Sequence, residues 1–229
     1  MRAVSHNLKN AGYPIDELVW VDNGSTDGVR EVMKKFGPAV SVLHDRNLGV
    51  AKGYNRAFTL ATGDWIVLTG CDMLMPDNWL GKMVEYIEAI PTTDVVAMFA
   101  VPFAACTERL IGEMNMCSAG NWQKAIPMGR RMMRRSVLSR AGYLREDFGL
   151  YGWEDVEWAR RCVVKGLNCY AIPGMVAEHL GTEGVKMFDG RGDSKDYHAF
   201  KQEQVKDPAK IALMHKCQAE GYPFYTPFP

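Results

Sequence analysis

Along the first hundred residues the apolar positions alternate between two spacings. Residues 17–22 are a short apolar run of strand type that ends in the acidic, glycine-containing turn Asp22-Asn23-Gly24-Ser25-Thr26-Asp27-Gly28. Helical spacing follows at once: Val29, Val32, Met33 and Phe36 share one face of a helix predicted over 26–36, with Gly37-Pro38 as its stop. A short helix over 2–11, closed by Gly12 and Pro14, precedes this unit. A strand at 39–44, a helix at 50–61, a strand at 64–69, a helix from Pro76 to about Ile90 and a strand at 94–100 come after it. Repeated β-α units of this kind predict an α/β fold with a mainly parallel central sheet and helices on both faces.

Beyond Pro102 the periodicity fades, and residues 102–124 read as a long loop region or irregular hairpin. A strand over 128–135 leads into a short helix at 136–141. Residues 153–165 are helical, with Val156, Ala159, Cys162 and Val163 at core spacing and Gly166 as the stop. Strands are predicted at 167–172 and 175–180. A polar tail follows, with a helix around 196–216 and an aromatic, proline-rich end. We therefore expect one domain over residues 1–181 and a C-terminal extension over 182–229.

Composition narrows the functional classes. Lys+Arg and Asp+Glu are equal at 27 each, so no overall basic field points to nucleic acid or an anionic membrane. Six cysteines without a C-x-x-C pair argue against a structural zinc site and fit buried thiols in a reducing compartment. The polar N-terminus lacks the apolar centre of a signal peptide, and the longest apolar run, 95–106, is broken by Pro102 and too short to span a bilayer. A cytoplasmic chain is the expectation.

Several residues stand where chemistry can occur. In open α/β sheets the carboxyl ends of strands line the ligand crevice, and Asp22 and Asp72 both sit at such ends. Asp22 suits hydrogen bonds from a base or sugar; the plainer alternative is an ordinary turn with Ser25 or Thr26 as N-cap. Asp72 suits Mg²⁺ or Mn²⁺, which take carboxylates together with substrate phosphates; the plainer alternative is a turn cap before Pro76. Asn47-Leu48-Gly49 opens a helix where backbone can approach a ligand closely, and Lys52 is placed to meet a phosphate. Tyr151-Gly152-Trp153-Glu154-Asp155 puts two acids at a helix start, favoured by the helix dipole and suited to general-base work beside apolar rings. His179 ends a strand, as Asp72 does. Arg130, Arg131, Arg134 and Arg135 form a basic cluster, read as a solvated strand face, with a phosphorylated or nucleic-acid acceptor as the sharper alternative.

Taken in order, VDNGSTDG, N-L-G, GDWIVLTGCD, RRSVLSRAGYL, YGWEDVEWARR and AEHLG resemble the family 2 glycosyltransferases of the GT-A fold over roughly residues 1–181. The resemblance implies a sugar transferred from a nucleotide-diphosphate donor, UDP- or GDP-linked, to an acceptor hydroxyl, with inversion and with a divalent metal, Mn²⁺ or Mg²⁺. It implies that Asp22 contacts the base, with Asn23, Asn47 and Lys52 on the donor side. Asp72 corresponds to the last acid of the D-x-D motif and holds the metal on the diphosphate, and His179 completes that site. Asp155 corresponds to the catalytic base, and Glu154 to the acid that orients the acceptor. Trp122, Tyr151 and Trp153 are candidates for stacking on the acceptor.

Two departures from the family pattern bear on these expectations. Gly70 replaces the first D-x-D acid, and the strand with which the family usually opens, ending in a Pro-Thr-Tyr-Asn-like sequence, is not seen before the first helix. That strand would sit centrally in the sheet, so its neighbours' ladder groups need other partners. The departures motivate a second reading, a non-catalytic nucleotide-sugar or glycan-binding protein. A nucleotidyltransferase is disfavoured because no glycine-rich phosphate loop lies near the N-terminus. The closing aromatic segment is a candidate for covering the acceptor cleft or for a homo-oligomer contact.

Overall fold

The computed structural model describes residues 2–36, 39–101, 129–180 and 194–227. The expected loop over 102–124, with Trp122, lies outside them. The chain divides into two compact units, each assembled from separated segments: Met1–Asp16, Gly63–Ala141 and Ala159–Leu180 make the first, and Glu17–Thr62, Gly142–Trp158 and Gly181–Pro229 the second.

The first unit contains α1 (Arg2–Lys9), β3 (Trp65–Thr69), β4 (Met73–Leu74), α4 (Trp79–Ala89), β5 (Val95–Val101), β6 (Arg130–Arg134), α5 (Val137–Ala141) and β7 (Cys169–His179). Its strands form one sheet in the order β3-β6-β5-β7-β4. The pairing is mixed where a mainly parallel sheet was expected. β5 and β7 run parallel, but β6 enters between β3 and β5 antiparallel to both, and β4 is antiparallel to β7. The two strands expected at 167–172 and 175–180 are a single β7. Pro173-Gly174 is absorbed as an irregularity, because the register against β5 jumps from Ala97↔Ala171 to Phe99↔Val176. The core of this unit is rich in methionine: Met73, Met75, Met83, Met98, Met132 and Met175 pack with Trp79, Leu80, Ile87 and Val96. Unbranched thioether chains fill the irregular space between a short sheet and α4.

Asn7 of α1 fastens the β4 segment. Its Nδ2 donates to the Met73 carbonyl at 2.8 Å, its Oδ1 accepts from Met75 N at 2.9 Å, and its carbonyl accepts from Trp79 Nε1 at 2.8 Å. A buried amide with both ends satisfied is favourable and specific, and it fixes the chain directly after Asp72.

The second unit contains β1 (Val19–Asp22), α2 (Val29–Met33), β2 (Val40–Leu43), α3 (Val50–Leu60), the first residues of α6 (Glu154–Val164), α7 (Ser194–Lys206) and α8 (Pro208–Ala219). β1 and β2 are a two-stranded parallel sheet from Val19↔Val40 to Asp22↔Leu43, with α3 packed on β1. Among the described residues β1 pairs only with β2, and β3 of the first unit only with β6. α2 is shorter than expected and continues as a 3-10 turn over Lys34–Phe36. Neither Ser25 nor Thr26 caps it; the N-cap is Gly28, in the left-handed region at φ 81°. The single helix expected over 196–216 is two. Pro208 has no N–H to continue α7, and Asp207 caps α8 by accepting from Ala209 N at 2.9 Å. Among the described residues no helix is long and apolar enough to cross a membrane.

Candidate active site

Asp22 ends β1 with its side chain only 2 % exposed. Burying a carboxylate requires partners, and two donors supply them. Ser25 N lies 3.2 Å from Oδ1 and 3.3 Å from Oδ2, and Arg30 Nε lies 2.6 Å from Oδ2. Arg30 also donates through Nη2 to the His44 carbonyl. The turn after β1 is thus held by a half-buried ion pair rather than by a helix cap. A carboxylate offers about four lone-pair positions, so this arrangement orients Asp22 without exhausting it.

Asn23 and Asn47 meet each other. Asn23 Nδ2 donates to Asn47 Oδ1 at 2.9 Å and to the Gly49 carbonyl at 3.0 Å, while its Oδ1 accepts from Leu48 N at 3.1 Å. Asn47 Oδ1 also accepts from Gly49 N at 2.8 Å. Two motifs that lie 24 residues apart are clamped into one surface. Gly49 has φ 98°, and a Cβ there would stand 2.7 Å from the Gly149 carbonyl. Only glycine fits both the backbone angle and the approach. Val50 N then donates to the Leu150 carbonyl at 3.0 Å, joining the N-L-G turn to the acidic segment. Lys52 is exposed on the first turn of α3.

Asn55, buried on α3, holds the approach to the acids. Its Nδ2 donates to the Leu144 carbonyl at 2.8 Å and to Glu146 Oε1 at 2.9 Å, and its Oδ1 accepts from Leu144 N at 3.0 Å. The chain then turns through Gly149, Gly152 and Trp153 at φ 81°, 97° and 76°. A tryptophan in the left-handed region is strained, and such residues gather at functional sites. Trp153 is buried and donates Nε1 to the Val205 carbonyl at 2.9 Å. Its indole N–H is thereby engaged by α7. Tyr151 is half-buried, with Lys201 Nζ 4.9 Å from its ring centroid.

Glu154 and Asp155 open α6 with unlike surroundings. Glu154 is buried, and burial, reinforced by the neighbouring Asp155 charge, pushes its pKa up to about 8. It therefore keeps its proton at neutral pH. Asp155 is half-buried, and its Oδ1 accepts from Val156 N at 2.8 Å. Two adjacent acids in environments that differ this much can hold different protonation states.

In the first unit, β4 and β7 place Asp72 and His179 along one edge: Met73 pairs with His179, and Leu180 N donates to the Asp72 carbonyl at 2.9 Å. Gly70 bears on the same place. A Cβ at residue 70 would stand 2.6 Å from Asp72 Oδ1, so the glycine that replaces the first D-x-D acid makes room for the second. Among the described residues no group of three or more His, Cys, Asp or Glu gathers to hold a metal. Mg²⁺-type ions need only one or two carboxylates when phosphates and waters supply the other oxygens. The single Asp72 carboxylate fits such a role.

Of the arginine cluster only Arg135 is exposed; the other three do not form a solvated face. Arg131 is fully buried, Arg130 Nε donates to the Met98 carbonyl, and Arg134 donates to the Thr93 and Pro91 carbonyls while lying 4.5 Å from the Trp65 ring.

Residues 1–142 match the family described as Glycosyl transferase family 2. The chain belongs to this family. Among its curated relatives is the PGL/p-HBAD biosynthesis glycosyltransferase of Mycobacterium bovis (strain BCG / Pasteur 1173P2), 26% identical over 174 residues that cover 72% of this chain and 62% of that protein. The chain thus spans under two thirds of that relative's length. Two solved structures show the fold. The mannosyltransferase PcManGT from Pyrobaculum calidifontis, in complex with GDP-Man and Mn²⁺, superposes with a TM-score of 0.59 at 23% identity, covering 96% of this chain and 64% of that one. S. aureus TarS 1–349 in complex with UDP-GlcNAc gives 0.60 at 15% identity, covering 81% and 58%. The fold of this family 2 member is GT-A.

Family motifs account for Asp22, Asp72 and the Glu154-Asp155 pair. They do not account for Asn7, Asn55 and Lys210, whose importance comes from burial and from partners more than fifty residues away. An asparagine or lysine among apolar positions of a helical stretch was the only available signal for them.

Proposed function

We propose that this chain transfers a sugar from a nucleotide-diphosphate sugar to an acceptor hydroxyl, with inversion at the anomeric carbon. The observation that carries the reading is the Glu154-Asp155 pair, one acid buried with its pKa raised and the next half-exposed at the same helix start. Asp155 takes the proton of the attacking hydroxyl, while Glu154, as a neutral acid, donates a hydrogen bond that orients the acceptor. Asp22, oriented by Arg30 and Ser25, accepts hydrogen bonds from the base, and the Asn23–Asn47 clamp shapes the donor surface beside it. Lys52 faces a phosphate, and Tyr151 serves the acceptor side.

Asp72 and His179 would hold a divalent ion, Mn²⁺ or Mg²⁺, which when bound neutralises charge on the leaving diphosphate. The complexes of PcManGT with GDP-Man and Mn²⁺ and of TarS with UDP-GlcNAc favour a GDP- or UDP-linked donor. We assign residues 1–181 to the transferase domain and 182–229 to its C-terminal extension, and place the chain in the cytoplasm.

A thermal-shift screen of UDP-, GDP-, dTDP- and CDP-sugars with and without Mn²⁺ tests the donor site, because a ligand bound only by the folded state raises Tm. The reading expects a rise that is specific for one donor and depends on the metal. No shift with any of them contradicts it. Binding without turnover across a broad acceptor panel favours the non-catalytic alternative.

A further inference from the structure

The two C-terminal helices end the second unit with their polar groups turned onto the acidic turn. Lys210 of α8 is 8 % exposed; its Nζ donates to the Tyr151 carbonyl at 2.8 Å and to Gln204 Oε1 of α7 at 2.6 Å. The Val205 carbonyl accepts from Trp153 Nε1 at 2.9 Å. The tail therefore grips the residues on both sides of Gly152, in a stretch where a left-handed tryptophan must be held in place.

A buried ammonium is an unfavourable way to join two helices, since an apolar side chain of similar volume packs there at less desolvation cost. Burial indeed lowers the Lys210 pKa, against the opposing influence of Asp207 and Glu154. What an ammonium supplies, and an apolar chain cannot, is hydrogen-bond donors directed at one carbonyl and one amide oxygen, with positive charge beside a carboxyl group. We propose that Lys210, bridged to Gln204, is a positioning residue for the acidic pair: it braces the Tyr151–Trp153 turn so that Glu154 and Asp155 leave it in one orientation. The C-terminal helices are then part of the catalytic apparatus. The proposal rests on the function given above for that pair.

The test uses the full chain with Lys210→Met and Lys210→Arg. Hydrogen exchange across residues 151–156 is read by mass spectrometry, Mn²⁺-dependent UDP and GDP binding by calorimetry, and transfer by initial rates. In Lys210→Met the brace predicts exchange there about tenfold faster, kcat lower by about tenfold and nucleotide Kd within about twofold of the parent. Lys210→Arg, which keeps the charge and the donors, restores exchange and kcat in large part. Unchanged exchange in Lys210→Met, or an arginine variant no better than the methionine one, overturns the proposal. Should Lys210→Met fail to fold, Gln204→Leu removes one partner alone, and the brace predicts the same two changes at smaller size. A parent chain that transfers no sugar refutes the reading of function, while the exchange comparison still decides the brace.

Discussion

Replacing Glu154 by glutamine tests the electrostatics of the acidic pair without touching its shape. A Glu154 pKa raised from 4.5 to about 8 means that the folded chain binds this proton more tightly than the unfolded chain does. Between those values the unfolded state releases the proton first, so stability from this group is fully present below pH 4.5 and is lost as pH rises through about 8. At 1.36 kcal/mol per pKa unit, the loss approaches about 5 kcal/mol. Glutamine cannot ionise, so Glu154→Gln removes the slope. Urea unfolding of both proteins between about pH 5 and pH 9 is the assay. The parent and variant should nearly coincide at the acid end and diverge steadily toward the alkaline end, where the variant is the more stable by several kcal/mol. Because glutamine retains a donor where the neutral acid has one, turnover of the variant should persist below pH 8. Parallel stability curves across the range would refute the assignment of Glu154 as a buried, protonated acid.

Other expectations follow from particular contacts. Asn55→Ala strands the N–H and carbonyl of Leu144 in the interior and should cost about 2–4 kcal/mol, read as a fall in the urea midpoint at unchanged m. Gly49→Ala combines φ 98° with a Cβ 2.7 Å from the Gly149 carbonyl. It should lower stability by at least about 2 kcal/mol and reduce transfer at every donor concentration. Gly70→Ala pushes against the Asp72 carboxylate and should weaken Mn²⁺-dependent nucleotide binding by about tenfold with little change in Tm; an unchanged Kd would remove Asp72 from the metal site.

The elements were legible because most of them announce themselves locally. β1, β3 and β5 are apolar runs bounded by turn residues, and α3, α4 and α6 have helical spacing within a few residues of their observed limits. What escaped is non-local. β4 has two residues and exists only because β7 and Asn7 pair with it. The antiparallel entry of β6 cannot be read from a strand's own composition, since the same apolar run serves either direction. The arginines misled for a related reason: in Arg131 and Arg134, charge suggested solvent, whereas burial and backbone carbonyls decide their places. Motif order singles out Asp22, Asp72 and Glu154-Asp155 as candidates, but not the contacts that hold them. Asn23 and Asn47 bond to each other across 24 residues, a pairing that neither motif shows alone. Lys210 lies in a tail without any motif, and only the fold brings it to Tyr151.

If Asp155 is the base of the proposed glycosyl transfer, it is needed for transfer and dispensable for donor binding. Asp155→Asn, assayed side by side for nucleotide-sugar binding by calorimetry and for transfer by product formation, tests it most directly. The variant should keep a donor Kd within about twofold of the parent and lose about a thousandfold in transfer. Transfer at the parental rate would contradict it.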